Sequence, residues 1–304
     1  MKLHASDLSV ESLAPGVEGS GLLPENVKIQ TPALHRPKDK GTLLFDIPGK
    51  KALRKIRVFN ILGGILLIML LIWIGMVLAS NGQFAPELWG NALSVDAWTN
   101  FYIPGLLSTL EVSVLAILAS ILFGLFFGSL RVLPSRICRA PSATIVEFSR
   151  AVPVLLFMVF FWRFFSLIGV GEASSFWAVF FGLLLYNGSV IAELLRSGVN
   201  NLPKGQREAS LSLGLTRTQS LLKVELPQSV KSMIPALVTQ LVVVLKDTAL
   251  GSIIMYTDLL QETRRLASAN FNVLQAMTIA TLLYFAICFA LTRAVEHFAD
   301  KWGK

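Results

Sequence analysis

The chain has 304 residues, of which 54% are hydrophobic and 15% charged, and its net charge is +8. Soluble domains usually carry about 25% charged residues, so the composition excludes an ordinary soluble protein and favours one that crosses a membrane. The positive charge does not indicate a nucleic-acid-binding protein, because the basic residues lie in short loops between apolar segments and form no stripe with interleaved aromatic residues.

A polar leader, residues 1–57, opens the chain. Its first 50 residues contain five prolines and one aromatic residue, a composition that buries too little apolar surface to fold. We therefore predict a disordered leader. Its basic end, KKALRKIR at 50–57, is expected to rest on anionic lipid headgroups.

Six apolar segments follow, and each is long enough for one transmembrane helix. They lie at about 58–79, 104–130, 150–168, 176–195, 233–256 and 273–293. Loops 80–103 and 169–175 contain no Lys or Arg, whereas the leader and the second and fourth loops are basic. Basic loops stay in the cytoplasm, so both termini are expected there, including the tail at 294–304. The prediction is an all-α integral membrane protein with six transmembrane helices.

The longest inward loop, residues 203–229, is predicted to form two short helices. Pro203 suits a first helical turn, and Gly214 suits a helix end. Thr216 with Gln219 forms a potential capping box at the second helix, which Pro227 is expected to end.

The same loop carries a motif, E-A-S-x₃-G-x₉-V-x-L-P, that begins at Glu208. It resembles the EAA motif of the membrane subunits of bacterial ABC importers, with Ser210 where Ala is usual and Val224 where Ile is usual. The resemblance implies coupling helices that dock into ATP-hydrolysing subunits. The docking residues carried over are Glu208, Ala209, Ser210, Leu213, Gly214, Leu226 and Pro227.

The resemblance extends over roughly residues 104–293. The stretch FYIPGLLSTL and the spacing of Glu147, Arg150 and Pro153 are similar to segments of polar amino-acid permeases, the glutamate-type members among them. This family implies a permease core in the bacterial cytoplasmic membrane. It also implies a second permease chain, identical or different, two cytoplasmic ATP-binding subunits and an extracytoplasmic amino-acid-binding protein.

Residues that carry enzyme chemistry are sparse. The two cysteines and three histidines are scattered, and no P-loop, G-x-S-x-G or H-E-x-x-H motif occurs. We therefore expect no catalytic residue, no metal site and no cofactor on this chain. By the resemblance, ATP and Mg²⁺ bind the partner ATPase.

Small residues recur every four positions along the second apolar segment, among them Ser120, Gly124 and Gly128. Such a face allows close approach of another helix in lipid. An internal helix and another subunit are both possible partners at this stage.

Polar residues inside the spans are candidates for a substrate path, because such groups are costly in lipid. They are Asn187, Ser189, Gln240, Lys246 and Asp247. Lys246 could attract a substrate carboxylate, or Lys246 and Asp247 could form structural ion pairs with Glu193 or Arg163. Glu193 and Arg196 are expected to form a local salt bridge.

The sequence thus predicts a permease subunit of an ATP-driven importer for glutamate or a related acidic or amide amino acid. One alternative is a secondary transporter or channel independent of ATP, which would show inverted repeats with broken helices. Another is a scaffold protein, which would not need polar residues in its fifth span.

Overall fold

The computed structural model describes the backbone of residues 50–302, with the side chains of residues 53–294 and of His297. All regular elements in that range are helical, and the prediction of an all-α membrane protein is confirmed. Residues 1–49 lie outside the described range, so the disorder of the leader stays a prediction, as does the placement of both termini.

The described range contains twelve α-helices, some of which are joined by short 3₁₀-helical or π-helical segments. The α-helices are α1 Lys50–Ser80, α2 Pro86–Ala92, α3 Val95–Ala97, α4 Ile103–Val132, α5 Arg136–Ala151, α6 Val154–Leu167, α7 Ser174–Asn200, α8 Lys204–Ser212, α9 Arg217–Ser220, α10 Leu226–Asp247, α11 Leu259–Asn270 and α12 Val273–Trp302. Segments Trp98–Tyr102 and Leu221–Glu225 are π-helical, and segments Gly171–Ala173 and Thr248–Ile254 are 3₁₀ helices. Five helical stretches are long and apolar enough to cross a membrane, and α5 with α6 makes a sixth if this bent pair is one span.

The third apolar segment is bent, although the sequence pattern predicted one continuous helix at 150–168. α5 and α6 meet at 98°, and Val152 and Pro153 between them are extended, with ψ of 126° and 135°. Proline disfavours helical backbone at the residue before it, which accounts for the break. With 14 residues, α6 is about 21 Å long, shorter than the roughly 30 Å of a bilayer core.

The fifth apolar segment also differs from a single helix over 233–256. α10 ends at Asp247, the 3₁₀ segment follows, and Met255 adopts a left-handed conformation with φ of 61°. The Tyr256 hydroxyl then donates a hydrogen bond of 2.8 Å to the Ser108 carbonyl of α4. This contact fixes the turn against the helix bundle.

α4 and α7 pack closely through the small-residue face of α4. A Cβ atom added at Gly128 would lie 2.9 Å from the Ala192 carbonyl oxygen, and one at Gly124 would lie 2.4 Å from the Ile191 side chain. The Ser120 hydroxyl is buried and lies 3.5 Å from the Leu183 carbonyl oxygen. The sequence left open whether this face contacts an internal helix or another subunit. In the structure it contacts an internal helix, α7.

Candidate functional site

The predicted coupling hairpin consists of α8, α9 and the π-helical segment that follows. Pro203 precedes the first residue of α8, and Gly214, with φ of +82°, reverses the chain after α8. Thr216 and Gln219 form the predicted capping box, with both reciprocal hydrogen bonds present. Local sequence therefore accounts for both ends of the turn between the two helices.

Pro227 does not end the second helix of the hairpin, so this prediction was wrong. Helical residues run without interruption from Arg217 through the π-helical segment into α10, and Pro227 lies in the first turn of α10. Within a continuous helix, a proline lacks one backbone N–H donor and its ring crowds the preceding turn. The wider π-helical turn just before it absorbs the irregularity.

The docking residues differ in exposure. Glu208, Ala209, Gly214 and Pro227 are exposed, and the Leu213 side chain at the tip is 83% exposed. Leu226 is half-buried. An apolar side chain this exposed on a rigid turn is a candidate contact for a partner protein.

Ser210 is a structural residue within the hairpin. It is buried, and its hydroxyl lies 2.5 Å from the Ser220 hydroxyl of α9. The Ser220 hydroxyl in turn donates to the Glu225 carboxylate at 3.0 Å. Ser210 therefore joins the two hairpin helices, and its side chain is not available to a docking partner.

A buried carboxylate, Glu225, lies at the base of the hairpin and was missed by the sequence analysis. Arg207 of α8 donates to it at 3.0 Å, and Arg217 of α9 forms a second ion pair with it. Burying a charge is costly unless it is paired and hydrogen-bonded. Two arginines and one glutamate in the same polar loop were the available sequence signal.

A second ionic cluster lies where α4, α5 and α7 meet. Glu193 of α7 pairs with Arg196, as predicted, and also with Arg131 of α4 and Arg150 of α5. Arg131 is buried and reaches Glu147 of α5 as well, at 3.2 Å. Glu147 and Arg150, two of the spaced residues after the second span, therefore hold α5 against α4 and α7.

Three of the predicted path residues lie together inside the helix bundle. The Gln240 amide of α10 donates to the Asn187 side-chain oxygen of α7 at 2.6 Å. Asn187 is buried, and its side-chain amide donates to the Leu183 carbonyl of its own helix at 3.2 Å, with the Asp247 carboxylate nearby. A polar contact between α7 and α10 is thus established at mid-helix.

The other two path residues lie apart from this contact. Ser189 is buried and donates to the Tyr186 carbonyl within its own helix, whereas Lys246 is exposed. Within residues 53–294, neither Lys246 nor Asp247 forms an ion pair, and the carboxylate of Glu193 is occupied by arginines. The structural ion pair with Glu193 or Arg163 that the sequence left open is not formed there.

Residues 120–304 match the family model described as binding-protein-dependent transport system inner membrane component. The chain is 40% identical over 218 residues to the glutamate transport system permease protein GluD of Corynebacterium glutamicum, covering 71% of this chain and 80% of the relative. It is 32% identical over 202 residues to the probable glutamine ABC transporter permease protein GlnP of Bacillus subtilis, covering 64% of this chain and 91% of the relative.

Solved structures show the same architecture. An amino acid ABC transporter crystallised with histidines aligns with a TM-score of 0.62 and 26% identity, over 69% of this chain and 97% of that chain. An inward-facing MetNI methionine ABC transporter aligns with a TM-score of 0.53 and 21% identity, over 64% and 94% of the two chains, and shares the fold.

Proposed function

We propose a coupling role for this chain, which belongs to the binding-protein-dependent inner-membrane transport components and is a permease subunit of an amino-acid ABC importer. In this role, ATP hydrolysis in two cytoplasmic partner subunits drives the translocation of glutamate or a related acidic or amide amino acid. ATP and Mg²⁺ bind the partners in this proposal. The chain itself carries out no covalent reaction. It changes conformation when its partners do.

The single observation that carries the coupling role is the rigid hairpin with its exposed tip. The capping box fixes the start of α9, and the Ser210–Ser220 contact and the Glu225 ion pairs join α8 to α9 and the segment after it. Leu213 remains 83% exposed. A preorganised surface loses little conformational entropy when a partner binds. Glu208, Ala209, Leu213 and Gly214 are the contacts that we propose for the ATPase.

The substrate path that we propose runs beside the polar contact between α7 and α10. Asn187, Gln240 and Asp247 offer amide and carboxylate groups there, which suit the ammonium group of an amino acid. Lys246, exposed on the same helix, offers a positive charge for a carboxylate. The names of the relatives, glutamate and glutamine permeases, support this substrate class.

The partners that we propose are the two ATP-binding subunits, a second permease subunit and an extracytoplasmic amino-acid-binding protein. A second permease chain would cover apolar surface that one chain leaves exposed in the described residues, such as Leu118 and Leu122 of α4. A homodimer and a heterodimer would each do so.

Uptake of radiolabelled glutamate in a strain that lacks this protein tests the coupling role. We expect wild-type protein to restore uptake and Glu208→Lys to abolish it, because the charge reversal lies on the proposed ATPase contact. Membrane insertion should be normal, and recovery of the ATPase by co-purification from detergent should fall by at least about tenfold, which corresponds to about 1.4 kcal/mol.

The matched control is Glu172→Lys, a charge reversal at an exposed glutamate beyond the opposite end of α7. It should leave uptake and ATPase recovery unchanged. Full ATPase recovery with Glu208→Lys would rule out docking through this surface. Uptake that persists after depletion of the ATPase would instead favour a secondary transporter.

A further inference from the structure

A cavity of about 570 Å³ lies between the two ionic clusters. Its walls come from the end of α4, from α5, from the last turns of α7 and from the two hairpin helices. Six arginines line it, and they are Arg131, Arg139, Arg150, Arg196, Arg207 and Arg217. Charged side chains of the membrane helices and of the hairpin therefore line the same cavity.

The charges around this cavity do not balance. Glu147 and Glu193 also line it, and Glu225 lies just behind it, bound to Arg207 and Arg217. Three carboxylates against six guanidinium groups leave three positive charges in excess. Glu193 forms ion pairs with three of the arginines. Arg139 forms no ion pair with any side chain of residues 53–294.

Arginines concentrated in a concave, partly buried site raise the local concentration of anions, because low-dielectric walls focus the electric field. The guanidinium group is planar and donates two parallel hydrogen bonds to a phosphate group. Carboxylates could bind such a site too, but the excess of three positive charges fits a phosphate group better than one carboxylate. The cavity also lies at the ends of α4 and α7, two helices that are long and apolar enough to cross a membrane, and the ends of spanning helices lie near lipid headgroups.

We propose that this cavity binds a phosphate group, supplied by the headgroup of an anionic phospholipid or by free phosphate. The bound anion contacts Arg139 and the cluster arginines of α4, α5 and α7 on one side. On the other side it contacts Arg207 and Arg217 of the hairpin. It thereby ties the hairpin to the membrane helices by a ligand as well as by packing.

Two binding measurements on the full chain in detergent test this proposal. The first is equilibrium dialysis with radiolabelled inorganic phosphate after lipid removal. The second incubates the chain with phosphatidylcholine vesicles, with or without phosphatidylglycerol, and quantifies the lipid that stays bound. The test variant is Arg139→Gln, because Arg139 is exposed and unpaired in the described residues, so its loss breaks no ion pair there.

The matched control is Arg136→Gln, one helical turn earlier on α5, exposed and outside the cavity. We expect Arg139→Gln to weaken binding about tenfold, the loss of one charge-assisted contact, and Arg136→Gln to leave it unchanged. Loss of inorganic phosphate binding identifies free phosphate as the ligand. Loss of phosphatidylglycerol retention alone identifies the lipid headgroup. Equal binding by wild type and Arg139→Gln in both measurements, or equal loss with both variants, overturns the proposal.

Discussion

Single residues in the hairpin divide into those that hold it together and those that face outward. Ser210 and Glu225 are buried, whereas Glu208 and Leu213 are exposed. The motif alone gives no means of telling these apart, because it lists positions without burial. Ser210, which departs from the usual Ala, is accounted for by its contact with Ser220.

Replacement of Ser210 by Ala should destabilise the hairpin. The change removes the contact with the Ser220 hydroxyl and the contact with the Arg207 carbonyl of the same helix. A buried hydrogen bond is worth about 1 kcal/mol, and the Ser220 hydroxyl keeps only its contact to Glu225. The apparent melting temperature of the purified protein in detergent should fall by a few degrees. Ser212→Ala is the control, because Ser212 is exposed and bonds only the Glu208 carbonyl of its own helix. Identical melting of the two variants would contradict the role of Ser210.

At the scale of helices, the sequence predicts what is encoded locally. The capping box at Thr216, the turn at Gly214 and the small-residue face of α4 could all be read from neighbouring residues, since each depends on spacing within one helix or turn. The bend at Pro153 carried a local signal too, but the apolar run around it favoured one straight span. The start of α10 at Leu226 was missed because a proline in a first turn looks the same as one that ends a helix.

The close approach of α4 and α7 leads to a prediction about Gly128. Gly128→Ala places a Cβ atom 2.9 Å from the Ala192 carbonyl oxygen, and backbone atoms cannot move aside as a side chain can. We expect a loss of about 1–3 kcal/mol from overpacking, seen as a lower melting temperature and a smaller yield of monodisperse protein. Gly75→Ala in α1 is the control, since no atom lies within 4 Å of the added Cβ. An equal fall in melting temperature for both variants would show that the effect comes from helix propensity and not from packing.

At the scale of the whole molecule, the site depends on pairs that are distant in sequence. Gln240 meets Asn187 across 53 positions, and Arg131 meets Glu193 across 62. Sequence analysis identified Asn187, Gln240 and Glu193 as polar residues in apolar spans. It predicted the local partner Arg196 for Glu193 but could not assign partners on other helices, because a helical pattern fixes the face on which a residue lies and not the helix that covers that face.

In the proposed function, Lys246 favours acidic substrates for the whole transporter. Lys246→Ala should lower glutamate uptake about tenfold, equivalent to about 1.4 kcal/mol, and should lower glutamine uptake much less, because the lost attraction acts on the side-chain carboxylate. The complex should still assemble. Lys231→Ala, an exposed lysine on the same helix, should change neither uptake. An equal fall for both substrates with Lys246→Ala would show that Lys246 does not discriminate by charge.

The uninterrupted helix from Arg217 through Leu226 to Asp247 has a mechanical consequence. It begins in the hairpin, where Glu225 binds Arg207 of α8 and so links this helix to the proposed docking surface. It then passes the polar contact at Gln240, in one wall of the proposed path. A small tilt at the hairpin becomes a larger sideways displacement toward the far end, since the described chain has no loop between them to bend instead. Opening of the path would then require no separate signal, because movement of the hairpin end of this helix also moves the end that lines the path.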